Sequence, residues 1–437
     1  MTYAEYIEWM FNLERFGIKL GLDNISELLR RIGNPHLSFE SVHVTGTNGK
    51  GSVCAFVSEI LRKQSMKVGL YTSPHLVDFR ERITINGVEI SEHDVLRIGS
   101  DLRKIMEQMA TEDPEKQLTF FEFTTGLAFK YFEEVGVDIV VAEVGMGGRL
   151  DATNVITPEV AAITRIGLEH TKYLGATIQD IAREKAGIIK PNARVVTCER
   201  KKDALSVIST SCKRKNAILR TIGKDFDADH VRQSTEGTSF DYNGRRNLRD
   251  LNTRLLGAYQ AENAACAISI SEELQDVGIP VSDHSIREGI ASAHWPGRME
   301  IVSRDPFLLF DGSHNPDGMG VTVRVLKDLR LVPLTYVIGC MDDKDARGIV
   351  RALVPTAARI VSTHVKNKRA LSASALGKIV QEEYNGPLEV VDDSGEAIEL
   401  AIGSNSGKGV CVIGSLYLVG EAIQWRENAV KIGAHKV

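Results

Sequence analysis

Residues 42–61 read VHVTGTNGKGSVCAFVSEIL, and this stretch decides the fold class. Val42-His43-Val44 has the β-branched character of a strand end. Thr45 to Ser52, TGTNGKGS, is a glycine-rich loop. Beyond it Val53, Phe56, Val57, Ile60 and Leu61 recur at i, i+3, i+4, i+7 and i+8, one face of a helix. Strand, glycine loop and amphipathic helix in that order open a parallel α/β sheet. Glycines let backbone N–H groups approach an anion, the helix start adds partial positive charge, and Lys50 adds a full one. The Ser52 hydroxyl suits Mg²⁺. The loop departs from the general GxxxxGK[ST] pattern: position 44 is valine, and Gly51 stands between Lys50 and Ser52.

Outward from this unit, short apolar runs alternate with helical patterns. Strands are expected at Val68 to Tyr71, Asp138 to Val144, Val160 to Ile166 and Arg194 to Cys198. Helices are expected over 115–135, over 176–188 and, rich in alanine, from Gln260 to Glu273. Residues 225–250 are polar and rich in turn formers, which predicts hairpins or surface loops rather than core. The pattern restarts near His294-Trp295-Pro296-Gly297-Arg298. Strands then follow at Phe307 to Phe310, Leu334 to Ile338, Arg359 to Ser362, Leu388 to Val391 and Val410 to Ile413. The expected architecture is a P-loop-type, mostly parallel sheet in residues 1–296, then a smaller Rossmann-like α/β domain in 297–437.

Length and composition agree with this plan. The chain has 437 residues, 43% apolar and 25% charged, which are ordinary globular values. Its formal net charge of −5 gives no global pull toward nucleic acid or anionic lipid. The six cysteines are Cys54, Cys198, Cys212, Cys266, Cys340 and Cys411, with no zinc or CxxC spacing, and read as reduced thiols. The N-terminus carries Glu5, Glu8 and Glu14 and lacks the form of a signal peptide, and no run approaches 18 apolar residues. A cytoplasmic location is expected, with no membrane partner.

Candidate chemical residues stand at strand ends, where open α/β sheets bind ligands. Glu143 closes the run Ile139-Val140-Val141-Ala142, and His170 follows the next strand. Alone, Glu143 is equally a solvated strand-end acid, and a lone His170 is more often structural than a ligand. Together with the hydroxyl of Ser73, in Thr72-Ser73-Pro74-His75, they suit a hard divalent ion bridging phosphates. Asp311 and His314, in DGSHNP, close the first strand of the second domain, with Arg298 before them. Lys185 ends a helical stretch, where a basic residue also simply complements the helix dipole.

In order along the chain come GTNGKGS, YTSPHL, EVGMGGRLDATN, EHTKYLG, REKAGIIK, WPGRME and DGSHNPDG. Together they resemble the folylpolyglutamate synthase/dihydrofolate synthase family of the Mur ligase superfamily. The resemblance implies an ATP-dependent ligase that joins L-glutamate to a folate or to dihydropteroate through an acyl phosphate, acting as a monomer. By the same resemblance, Thr47, Asn48, Gly49, Lys50, Gly51 and Ser52 hold ATP phosphates, with Asn263, Arg298, Asp311 and His314 as further nucleotide contacts. Ser73, Glu143 and His170 match magnesium ligands, and Lys185 matches a carbamylated lysine. Lys50, Lys185 and His170 are the expected catalytic residues. Folate positions correspond to Ile18, Lys19 and Leu20, to Thr119, Phe120, Phe121 and Glu122, and to Leu150, Asp151 and Ala152. Two alternatives remain open from sequence: a superfamily ligase acting on another carboxylate, and a nucleotide-dependent switch without ligase activity. A GTPase-type switch lacks its NKxD motif, since Asn367-Lys368 is followed by Arg369-Ala370.

Overall fold

The computed structural model describes all residues except 18, 20, 405 and 432–437. Among the described residues the strands form three sheets. The largest has eight strands, in the edge-to-edge order Val88–Glu89, Ile83–Ile85, Val68–Tyr71, Ile139–Glu143, Glu40–Thr45, Val160–Ile163, Arg194–Thr197 and Ile218–Thr221. The six strands from Val68–Tyr71 onward pair in parallel, and the short Ile83–Glu89 hairpin joins antiparallel at one edge.

The central strands are buried on both faces, which is why they read as unbroken apolar runs rather than alternating ones. On one face lie the helices Lys50–Lys63, Ala258–Asp276 and Asp283–Ser292, with Phe56, Ile60, Ile268 and Ile286 in a shared core. On the other, the helix Phe120–Val135 packs Phe123, Phe129 and Phe132 against Val140 and Ala142. Register places the site. Val44 pairs with Glu143 on one side, and Thr45 pairs with Ile163 on the other. The loops after all three strands therefore leave the sheet at one level, at the point where the chain's crossovers reverse direction.

Residues 225–250 form the expected hairpins but correct the expectation that they lie outside the core. They form an antiparallel sheet of Asp227–Ser234, Gly237–Asn243 and Asn247–Thr253. Its inner face is core: Phe240, Tyr242, Leu248 and Leu251 join the cluster that holds Phe56. The polar outward residues hid a period-two alternation.

A six-stranded sheet follows, in the order Glu300–Arg304, Phe307–Asp311, Val410–Ile413, Leu334–Ile338, Ala357–Thr363 and Leu388–Val391. All its pairings are parallel except that of the edge strand Glu300–Arg304, which the sequence did not announce. The chain is thus an α/β protein, a mostly parallel mixed sheet followed by a smaller, mostly parallel one. Among the described residues no helix is long and apolar enough to cross a membrane.

Candidate active site

The helix Lys50–Lys63 begins at Gly49, whose φ of 96° is left-handed, and its N-terminus has no side-chain cap and no acid in its first turn. Free N–H groups at such an end attract anions. Gly51 fits for a steric reason: a Cβ there would lie 2.6 Å from the indole nitrogen of Trp295. The residue between Lys50 and Ser52 is therefore where the WPGR turn presses on the helix start. Lys50 Nζ donates to the carbonyls of Gly46 at 3.1 Å and Thr47 at 3.2 Å.

Around this loop opens a cavity of about 770 Å³. Its walls include Thr47 to Ser52, Ser73, Glu143, His170, Lys185, Asn263, Arg298, Asp311 and His314. Every residue matched above to ATP, magnesium or catalysis reaches this one space. Glu143 is buried, and one of its oxygens accepts the Ser73 N–H at 3.1 Å. Burial raises its carboxyl above the usual range, and Lys50, the Ser73 N–H, Arg298 and Arg82 offset only part of that rise. His170 adopts a left-handed backbone with φ of 49° at the start of a short helix, and burial pushes its imidazole down to about 4. Lys185 is buried and donates to the Gly46 carbonyl at 2.7 Å. Burial, reinforced by Lys50, brings its amine down to about 7. Asp311 accepts from Met299 N–H at 2.9 Å, Ser313 N–H at 3.1 Å and Thr322 Oγ1 at 2.9 Å, so it fixes the turn that carries Arg298. Asn263 Nδ2 donates to Gln260 Oε1 at 2.9 Å.

Among the described residues no three His, Cys, Asp or Glu side chains converge as a metal cage. Among the cavity-lining groups, the expected magnesium ligands are one carboxylate (Glu143), one imidazole (His170) and the hydroxyls of Ser52 and Ser73. That set fits Mg²⁺, which takes one or two protein carboxylates and fills its shell with water and substrate phosphate.

The folate positions stand apart. None of them lines this cavity. Thr119 and Glu122 bond each other as a capping box of the helix Phe120–Val135. Lys19 Nζ donates to the carbonyls of Glu115 at 3.2 Å and Gln117 at 3.3 Å. Phe121 stacks on Tyr71 and packs against Gly145, and Phe120 stacks on Phe11. Leu150, Asp151 and Ala152 lie in the turn after Gly145–Arg149, where Asp151 accepts the Met146 N–H at 2.9 Å. Ile18 and Leu20 lie outside the described residues.

Glu169 and Lys344 are among the cavity residues that the sequence did not single out. Glu169 accepts from His314 Nε2 at 3.3 Å and lies 3.7 Å from Lys344 Nζ, and so joins the two sheets across the cleft. Burial alone would raise its carboxyl, but the His314 hydrogen bond and the charges of Lys50, His314 and His170 hold it well below the usual carboxylate range. Lys344 follows the strand Leu334–Ile338. The strand-end rule, applied to the second sheet as it was to the first, would have found it.

Two family models match the chain: the Mur ligase middle domain over residues 44–271, and the Mur ligase glutamate ligase domain over 297–416. The folylpolyglutamate synthase of Lacticaseibacillus casei is 34% identical, with 96% of this chain aligned to 97% of that one. The chain belongs to the folylpolyglutamate synthase/dihydrofolate synthase family. A probable bifunctional folylpolyglutamate synthase/dihydropteroate synthase of Haloferax volcanii is 36% identical, and this family member spans only 52% of that longer protein. Among solved structures, Mycobacterium tuberculosis folylpolyglutamate synthase complexed with ADP and AMPPCP matches with a TM-score of 0.89 at 30% identity, covering 96% of this chain and 98% of that one. Escherichia coli FolC in complex with DHPP and ADP matches with a TM-score of 0.87 at 30% identity, covering 98% and 100%. The uncapped helix start, Lys50 and Glu143 thus belong to a family with members solved in complex with ADP.

Proposed function

We propose that this protein is an ATP-dependent ligase that adds L-glutamate to the free carboxylate of a folate, of dihydropteroate, or of both. The observation that carries the reading is the single cavity that collects the phosphate loop, Glu143, His170 and Lys185 from residues 1–296 with Arg298, Asp311 and His314 from residues 297–437. We take these two stretches as the two domains. A carboxylate oxygen of the acceptor attacks the γ-phosphorus, and ADP leaves. The glutamate nitrogen then attacks the acyl carbon, phosphate leaves, and the nitrogen loses a proton. Such chemistry needs positioning and charge neutralisation more than a protein nucleophile.

In this reading the helix start and Lys50 hold the β- and γ-phosphates. Glu143, His170 and Ser73 hold Mg²⁺, which when bound neutralises the charge developing on the transferred phosphoryl group. Arg298 and Asn263 hold the rest of the nucleotide, and Asp311 and His314 fix the second domain's side of it. Lys185, a neutral amine in part at pH 7, would bond through Nζ to the carbon of carbon dioxide and release a proton to solvent, giving an anionic carbamate to help hold Mg²⁺ where an ammonium would repel it. The folate ring lies against the aromatic side chains near Thr119–Glu122 and Leu150–Ala152.

The test is product analysis by mass spectrometry with dihydropteroate and with tetrahydrofolate as rival acceptors. A glutamyl adduct on either, formed only with ATP, supports the ligase. ATP turnover that needs neither acceptor nor glutamate supports the nucleotide switch instead.

A further inference from the structure

The loop that follows the strand Ile139–Glu143 lines the cavity with Gly145, Met146 and Gly147, and the phosphate-loop strand grips it by two side chains. His43 and Thr45 stand two apart on the strand Glu40–Thr45, so they leave the same face of the sheet. Thr45 Oγ1 donates to the Gly147 carbonyl at 2.6 Å. His43 Nε2 lies 2.8 Å from Thr153 Oγ1. Thr153 in turn donates its hydroxyl to Asp151 Oδ1 at 2.5 Å and its backbone N–H to the same oxygen at 3.0 Å. Asp151 Oδ2 accepts the Met146 N–H. A continuous chain of bonds therefore runs from the strand that feeds the phosphate loop to a backbone N–H on the cavity wall.

The direction of those bonds fixes the state of the imidazole. A hydroxyl has one proton to donate. Thr153 commits it to the ionised Asp151, whose hydrogen bonds from the Thr153 hydroxyl and from backbone N–H groups oppose the rise that burial imposes on its carboxyl. The Thr153 oxygen therefore accepts from His43, and Nε2 carries the hydrogen. Nδ1 is then a bare lone pair, and Nδ1 is indeed a buried atom without a partner. The other tautomer would bury an N–H there with no acceptor and turn a lone pair toward an oxygen whose proton is already committed. His43 is fully buried, and burial pushes it down to about 3, so the ring is neutral at physiological pH.

We propose that His43 is a positioning residue: a neutral, Nε2-protonated imidazole that fixes Thr153 and Asp151 and so sets the acceptor loop against the phosphate loop. The proposal rests on the reading above that Asp151 and its neighbours face the folate acceptor. It predicts an effect confined to the acceptor, because the phosphate loop is held separately.

Steady-state kinetics on His43→Leu, His43→Gln and Thr153→Val tests it, with whichever acceptor the parent protein glutamylates. His43→Leu and Thr153→Val should raise the acceptor KM by roughly 10- to 10²-fold, the scale of a small misplacement. Their KM for ATP should stay within about twofold. His43→Gln, whose side-chain amide can donate to Thr153, should recover most of the loss. An unchanged acceptor KM, an equal rise in both KM values, or a glutamine variant as damaged as the leucine one would overturn the proposal. The imidazole nitrogen resonances of the intact parent protein give a reading independent of turnover and of how the variants fold. A protonated Nε2 and a bare Nδ1 are expected, and the reverse tautomer or a cation overturns the relay. A parent that forms no glutamyl product on any acceptor sinks the ligase reading, whereas these resonances still decide the relay.

Discussion

In the proposed reading the molecule has a phosphate side and an acceptor side, built from the same parts and bonded in opposite ways. Both place a helix N-terminus and a strand-end loop at one edge of the large sheet. On the phosphate side the helix Lys50–Lys63 starts uncapped, Lys50 and Lys185 rest on loop carbonyls, and Glu143 has a single protein hydrogen-bond donor. On the acceptor side the helix Phe120–Val135 starts with a complete capping box, and Asp151 accepts the backbone N–H groups of Met146 and Thr153 and the Thr153 hydroxyl. An uncapped terminus holds its donors for an anion, while a capped one is a structural joint. A triphosphate needs polar groups held in reserve, whereas a flat heterocycle needs walls, and in the proposed reading the partly exposed Phe11 and Phe121 supply them, backed by the buried Phe120 and Tyr71.

The comparison breaks most visibly at Lys50. Lys50→Ala should lower kcat/KM by on the order of 10² to 10³, the cost of one transition-state charge contact, with the melting temperature unchanged. Near-normal turnover in the folded variant would remove the phosphate side from the account. Glu143→Gln comes next. Titrating Mg²⁺ against turnover should show its half-saturating concentration rise by about tenfold, alongside slower turnover, and an unchanged magnesium curve would mean that Glu143 holds no metal.

Lys185 sharpens the comparison through pH. Its folded pKa of about 7 lies below the ordinary lysine value, so between the two the unfolded chain binds a proton that the folded chain does not. Stability should therefore rise with pH from about 7 toward about 10. Denaturant titrations across that range should show this slope in the parent and a flatter one in Lys185→Met. The same slope in both proteins would contradict a depressed lysine.

The smallest effect belongs to the acceptor side. Thr119→Ala should cost about 1 kcal/mol through loss of the cap, seen as a lower melting temperature, while the KM for ATP stays unchanged. A large loss of ATP affinity in Thr119→Ala would erase the distinction between the two sides.

How much of this was legible in sequence follows from how local each feature is. The phosphate loop and its helix were legible because five apolar residues at helical spacing follow a glycine loop directly. Glu143 and His170 were legible because strand ends and ligand sites coincide in parallel sheets. The edge strands Val88–Glu89 and Glu300–Arg304 were not, since an edge strand with little burial leaves no apolar run. The burial of the hairpins at 227–253 was not legible, because their buried residues alternate with polar and charged ones. Glu169 meets His314 across 145 residues of sequence, and nothing local announces such a pairing. His43 sits between two valines in a strand, and no pattern distinguishes a satisfied core histidine from one that positions a distant loop.

The most direct test of the central claim is phosphate release measured with acceptor and glutamate each present or withheld. A ligase that forms an acyl phosphate and passes it to glutamate releases one phosphate per glutamyl product, and fast release requires both substrates. Equal release in all four conditions, with no glutamyl product formed, would contradict the account.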